Sequence, residues 1–247
     1  MTGEDPEKAP WAAESAPDIA ALDRLVSTCR ACPRLVAWRE EVAVVKRAAF
    51  RDEEYWGRPV PGFGPADARV LVVGLAPAAH GGNRTGRMFT GDPSGNVLFG
   101  ALHAVGSATG AHPVSRDDGI VLVDTRLTAP VHCAPPENKP TPEERRRCAP
   151  FLSRELELLS STLRVIVVLG GFGWQALFTV LSAGDWNVPR PRPRFTHGAQ
   201  VVITHPDGRS VTVLGSYHVS QRNTATGKVS PAMVEDILLR AKTIAES

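Results

Sequence analysis

The strongest constraint on the fold is a series of short, almost wholly apolar runs separated by helical patterns. The runs are Val70-Leu71-Val72-Val73, Ile120-Val121-Leu122-Val123, Val165-Ile166-Val167-Val168-Leu169 and Val211-Thr212-Val213-Leu214. Strands that read apolar at nearly every position are buried on both faces, the pattern of a parallel sheet covered by helices. Helical spacing is predicted near 19–29, 34–50, 96–108, 141–161 and 172–182, and from Ser230 to the end. Thr141-Pro142-Glu143-Glu144 opens one helix with a capping box and a proline at the first helical position. Pro206-Asp207-Gly208, between Val201-Val202-Ile203 and the last run, predicts an antiparallel hairpin. The expected fold class is α/β, with a central, mostly parallel four-stranded sheet and helices on both faces. One domain is expected over 18–247. Residues 1–17, rich in Glu, Pro and Ala and without a period, are expected to be a disordered tail.

Between the first strand and the next helix lies a long loop, Gly74 to Gly95, with six glycines. Ligands collect at the carboxyl ends of strands in open α/β sheets. Loops this long without structure of their own are usually functional or disordered. Asn83, Arg84, Arg87 and Asp92 cluster here beside one aromatic, Phe89. The placement between two apolar elements favours function. The glycine spacing from 81 to 86 resembles a phosphate cradle, but Arg87-Met88 replaces the required Lys and Ser/Thr, which makes a nucleotide-phosphate enzyme a weak alternative.

The four cysteines are Cys29, Cys32, Cys133 and Cys148. The first pair does not follow a strand, as a thioredoxin-like dithiol would. The second brackets a proline-rich loop. Four thiolates converging on one ion or cluster explain the pattern, and the spacing leaves zinc and an iron–sulphur centre equally open. A net charge of +2 is weak. A nucleic-acid partner would therefore need local basic patches such as Arg145-Arg146-Arg147 or Arg190, Arg192 and Arg194. No apolar run approaches the ~18–20 residues of a membrane span. No secretory signal is visible, so the cytoplasm is the expected location.

Past the last apolar run comes Gly215-Ser216-Tyr217-His218-Val219-Ser220-Gln221-Arg222-Asn223-Thr224, again beyond a strand's carboxyl end. His218 can donate a hydrogen bond there. The other six histidines, His80, His103, His112, His132, His197 and His205, read as structural.

Together the Gly74–Pro77 turn, the stretch from His80 to Asp92, the segment Cys133–Glu144 and the His218 motif resemble the uracil-DNA glycosylase superfamily. Within it they resemble the iron–sulphur family 5, or type B, enzymes, for which Ala76 at the end of the first strand is a mark. The resemblance implies hydrolysis of the N-glycosidic bond of uracil and other deaminated or damaged bases, such as hypoxanthine and ethenocytosine, in duplex DNA. It also implies that the four cysteines hold a [4Fe-4S] cluster. The chemistry then assigns Asp92 to water and the cationic sugar, Asn138 to the base edge, and His218 to the oxygen of the leaving base. Phe89 would stack on the base, and Gly74, Ala76 and Ala78 would line the pocket. Arg84, Lys139, Gln221, Arg222 and Asn223 are the expected phosphate contacts. Double-stranded DNA is the implied partner, a replication clamp is retained as a further one, and a monomer is expected. The alternative is a non-catalytic iron–sulphur DNA-binding redox protein.

Overall fold

The computed structural model describes residues 5–247. Its centre is a five-stranded sheet in the order β2-β1-β3-β5-β4. The strands are β1 (Val70–Val73), β2 (Thr125–Thr128), β3 (Val165–Leu169), β4 (Gln200–Thr204) and β5 (Ser210–Ser216). All neighbours run parallel except β4, which pairs antiparallel with β5 through the expected hairpin. The edge strand β4 is the fifth strand beyond the four expected.

Side chains alternate across a strand, so each central strand feeds two cores. Val70 and Val72 pack with Val165 and Val167 on one face, beneath α5 (Pro93–Ala104) and α9 (Pro231–Glu246). Leu71 and Val73 pack with Ile166 and Val168 on the other, beneath α6 (Pro142–Leu159) and α7 (Gly170–Ala183). The capping box of α6 is formed: Thr141 Oγ1 accepts from the Glu144 amide, and Glu144 Oε2 accepts from the Thr141 amide.

Two expectations are corrected. The apolar run 120–123 is not a strand. Val121 and Val123 are 58% and 48% exposed, while Leu122 is buried and bridges to Ala108, and Ile120 is partly buried against the core. The second strand is instead the polar Thr125-Arg126-Leu127-Thr128, buried throughout. It is held by β1 on one side and by paired backbone bonds between Phe63 and Leu127 on the other. Burial of Arg126 is made tolerable by Asp23, whose two oxygens lie 2.7 and 2.9 Å from Nη2, by Glu155, and by the Gly64 carbonyl.

The second correction concerns the tail. Of it, residues 1–4 lie outside the described residues. From Ala9 the chain is helical, through α1 (Ala9–Ala12) and a 3-10 turn at Ala13–Ser15. Ala9, Ala13 and Ala16 are buried against α2 (Ile19–Thr28) and Phe151 of α6. Alanines are small enough to let this segment lie close to α6. Arg154 fixes it by donating twice to the Ala16 carbonyl, at 2.9 and 2.7 Å.

Candidate active site and cysteine pocket

The chain reverses direction across the sheet after β1, with β2 on one side and β3 on the other. That switch point is where ligand clefts form in open α/β sheets. A cleft of about 460 Å³ opens there. Ala76 and Ala78 beyond β1, Ala129 beyond β2 and His218 beyond β5 line it, with Phe89, Asp92, Asn138, Gln221 and Arg222.

Glycines make room for two of these side chains. A Cβ on Gly74 would stand 2.5 Å from Phe89 Cζ, and one on Gly81 would stand 2.1 Å from Asp92 Oδ2. Phe89 itself takes a left-handed φ of 51°, a conformation that a bulky residue seldom adopts without being held there. The holding comes from Arg87, buried just before it. Arg87 donates from Nε to Thr90 Oγ1 at 2.9 Å and forms a two-pronged pair with Asp118. Although burial opposes it, Arg87 and the amides of Ile120 and Val114 keep the Asp118 carboxyl down at about 2.

Asp92 is the N-cap of α5. Its Oδ1 accepts from the amides of Ser94 at 2.8 Å and Gly95 at 3.1 Å. Its Oδ2 has no hydrogen-bond partner among the described residues. Burial raises the carboxyl above its ordinary value, and the two amides hold it back. Burial also lowers the His218 imidazole to about 4, so the ring is neutral at physiological pH. Asn138 stands exposed at the cleft rim with a left-handed φ of 56°.

Other expected site residues are placed elsewhere. Gly74 lies under the Phe89 ring, and its importance is the space it leaves. Arg84 does not face a DNA surface. It is 8% exposed and turns inward, donating to the carbonyls of His80 at 2.8 Å and Gly91 at 3.0 Å, pairing with Glu53 and lying 3.9 Å over Phe50. It fastens the glycine loop, which carries the single helical turn α4 (Gly82–Thr85), to the segment before β1. Asn223 is likewise turned inward: its Nδ2 donates to the His218 carbonyl at 2.8 Å. Lys139 is exposed beside Asn138 and reaches Glu137 at 3.0 Å. Gln221 and Arg222, on the short α8 (Gln221–Ala225), remain on the cleft.

The cysteines gather in a second, mainly apolar pocket lined also by Leu35, Val131 and Phe151. Cys29 closes α2 and Cys32 opens α3 (Pro33–Val45), so the first pair forms the turn between them. Cys133 follows β2, and Cys148 lies on α6. Arg34 draws α3 onto α6 through a two-pronged bond with Glu144, at 2.7 Å from each oxygen. Arg39, 1% exposed, donates to Cys133 Sγ at 3.0 Å and to the Cys29 carbonyl at 3.2 Å, while its Nε finds no partner. As free thiols, Cys32 and Cys133 are pushed up to about 11, chiefly by burial. Among the described residues no three His, Cys, Asp or Glu side chains stand in the geometry of a metal-ion site. Ala76 forms a wall common to both places: it lines the cleft and packs against Leu35, Val131 and Cys133.

Sequence reasoning missed Arg39 and Arg126. Single arginines inside otherwise amphipathic or polar segments carry no signal of burial without knowledge of their partners.

A family model described as the uracil-DNA glycosylase superfamily matches residues 61–242, which include the whole cleft. The chain belongs to the uracil-DNA glycosylase superfamily. It is 53% identical over 233 residues to a type-5 uracil-DNA glycosylase of Mycobacterium tuberculosis, covering 94% of this chain and 84% of that one. It is 48% identical over 228 residues to a type-5 enzyme of Thermus thermophilus, covering 92% and 99%. It is 44% identical over 220 residues to one from Pyrobaculum aerophilum, covering 89% and 90%. Within the superfamily it is an enzyme of the uracil-DNA glycosylase type, an N-glycosyl hydrolase, similar over most of its length to type-5 members. No helix is long and apolar enough to cross a membrane among the described residues.

Proposed function

We propose that this glycosylase acts on duplex DNA and removes hypoxanthine and ethenocytosine as well as uracil, leaving an abasic site. The reading rests on one observation: Phe89, Asp92, Asn138 and His218 converge on a single cleft whose strand-end position is filled by Ala76. A stacked base is out of reach, so it must be flipped into the cleft at a cost of a few kcal/mol. Phe89 takes the base face, and the Asn138 amide offers a donor and an acceptor to its edge. As the bond lengthens, negative charge grows on the base and positive charge on the sugar. His218, neutral and largely desolvated, donates to the base oxygen; one such donor is worth roughly 2.7–4 kcal/mol. Asp92 Oδ2, left free by the cap, orients water and faces the sugar cation.

With Ala76 in place of a carboxylate, catalysis leans on leaving-group and sugar-cation stabilisation. Those terms depend less on base identity than a tight uracil-shaped pocket would. Uracil opposite guanine should be cut faster than uracil opposite adenine, because the weaker pair flips more easily. The test is a panel of duplexes carrying each base opposite different partners, followed by alkaline cleavage. Activity confined to uracil and equal in every pairing would refute the wider range. Asp92→Asn keeps the helix cap and removes the charge. Its single-turnover rate should fall sharply, and an unchanged rate would leave Asp92 as a cap alone.

We also propose that Cys29, Cys32, Cys133 and Cys148 hold a [4Fe-4S] cluster. Four soft donors around one apolar pocket, faced by a buried guanidinium with an idle N–H, suit a group that carries negative charge on sulphur. When bound, it would tie the α2–α3 turn, the loop after β2 and α6 into one unit. Purified protein should be brown, with about four irons per chain. A colourless, fully active protein with one zinc would overturn this.

A further inference from the structure

His218 makes no side-chain hydrogen bond among the described residues, so no second side chain aims its ring in the way an aspartate aims a triad histidine. The direction of the ring must be set through its backbone. Three features hold that backbone. On the carboxyl side, Asn223 Nδ2 donates to the His218 carbonyl at 2.8 Å. Asn223 is itself anchored, since its amide donates to Ser220 Oγ at 3.4 Å and its carbonyl accepts from Lys228 at 2.9 Å and Val229 at 3.3 Å. On the amino side, the Tyr217 amide donates to His197 Nδ1 at 3.2 Å. The His197 ring also lies against that of Tyr217, with centroids 5.1 Å apart and planes at 26°. Because a backbone N–H can only donate, His197 Nδ1 must accept, which puts the ring proton on Nε2. Burial keeps the His197 imidazole below its ordinary value. Behind the residue, a Cβ on Gly170 would come within 3.0 Å of His218 Cβ, so the space there is already filled.

We infer that Asn223 and His197 are positioning residues for His218, gripping the chain on either side of it so that a ring without partners of its own points into the cleft. His197 reaches this place from the proline-rich stretch 184–199, which has no helix or strand. That stretch therefore acquires a purpose in the reaction although it contributes no residue to the cleft. The inference rests on the catalytic reading of His218.

The experiment is a double-mutant cycle in single-turnover cleavage of uracil-containing duplex, with DNA affinity measured as a function of salt. Displacing a reacting group by about 1 Å costs up to ~100-fold. Asn223→Ala should therefore slow cleavage by roughly 10–100-fold, and His197→Ala by roughly 3–10-fold, at unchanged DNA affinity and salt dependence. His197→Asn, whose Oδ1 can accept the same Tyr217 N–H, should recover most of that loss. Asn223→Asp keeps the shape and removes the donor, so it serves if the alanine variant fails to fold. In a His218→Ala background neither change should slow the reaction further. An equal effect of Asn223→Ala in both backgrounds overturns the inference. So does a loss of DNA affinity for Asn223→Ala at fixed salt, which would mark Asn223 as a phosphate contact. If His218→Ala alone leaves the rate intact, the reading of His218 fails, and the inference fails with it by a separate route.

Discussion

Arg126 and Arg39 are both about 1% exposed, yet they are buried in opposite ways. Arg126 meets two carboxylates, Asp23 and Glu155, and a carbonyl, so its charge is matched by the protein's own acids. Arg39 meets sulphur and a carbonyl. Among the described residues, the acid paired with it is Glu40, which lies 3.8 Å away, is 44% exposed and is already bonded to Arg30. Leaving a buried charge without a partner costs several kcal/mol. The difference teaches that the Arg126 centre is complete within this chain, whereas the Arg39 centre offers its charge to sulphur and a carbonyl, a setting that the proposed cluster would complete.

Removing the complete centre should have the largest effect. Arg126→Met leaves the buried Glu155 and the partly buried Asp23 unopposed, and should cost roughly 3–5 kcal/mol of unfolding free energy by urea titration. A loss below about 1 kcal/mol would break the contrast, since exposed pairs are worth that little.

Next in size is the pH dependence of the acid in that centre. Burial, outweighing Arg126, raises Asp23 to about 6, above the 3.8 of an exposed carboxyl. Its contribution is therefore full below about pH 4 and is lost as pH rises through 6. His218 runs the other way: burial lowers it to about 4 from 6.5, so its contribution is full above 6.5 and is lost as pH falls through 4. Each shift corresponds to about 3 kcal/mol at most. Asp23→Asn should make stability climb more steeply from pH 4 to 6.5, and His218→Gln should make it climb less. Identical slopes in both variants and the parent would remove the titration argument.

Arg39→Met sharpens the comparison. Hydrogen bonds to charged groups contribute about 1.5–3 kcal/mol, so the loss should be of that order in iron-loaded protein and smaller after chelation. The reduction potential should also fall when a donor to sulphur is removed. Equal losses with and without iron would mean that the Arg39 charge is matched by something other than the cysteines. The smallest effect is expected at Asn83, whose Nδ2 donates to the Arg39 carbonyl at 3.2 Å and joins α3 to the glycine loop. Asn83→Ala should cost about 1 kcal/mol.

The same two arginines mark the limit of what the sequence reveals. β1, β3 and β5 are legible because their buried side chains, Ser216 at the end of β5 apart, are apolar. β2 is not, because Arg126 is stabilised by Asp23, 103 residues earlier, and Glu155, 29 later. The neighbouring run 120–123 is more apolar and yet half exposed. In the candidate site, Asp92, Asn138 and His218 were legible from motif and strand-end position. The inward turn of Arg84 and Asn223 was not, since a polar side chain on a loop can bond outward to phosphate or inward to carbonyls with the same local sequence. The helical start at Ala9 escaped for a similar reason: a helix of four residues is too short to show a period, and its burial depends on α6.

Asp92 gives the cleft a further property. One oxygen is pinned by two amides at the start of α5, and the other faces Gly81 across a gap too small for a methyl group. The side chain has thus lost its rotational freedom during folding, well before any substrate arrives. Ordering a side chain of this kind costs free energy whenever it happens. Here that entropy is surrendered once in the lifetime of the molecule, together with the nucleation of a helix, and is not demanded again at each turnover.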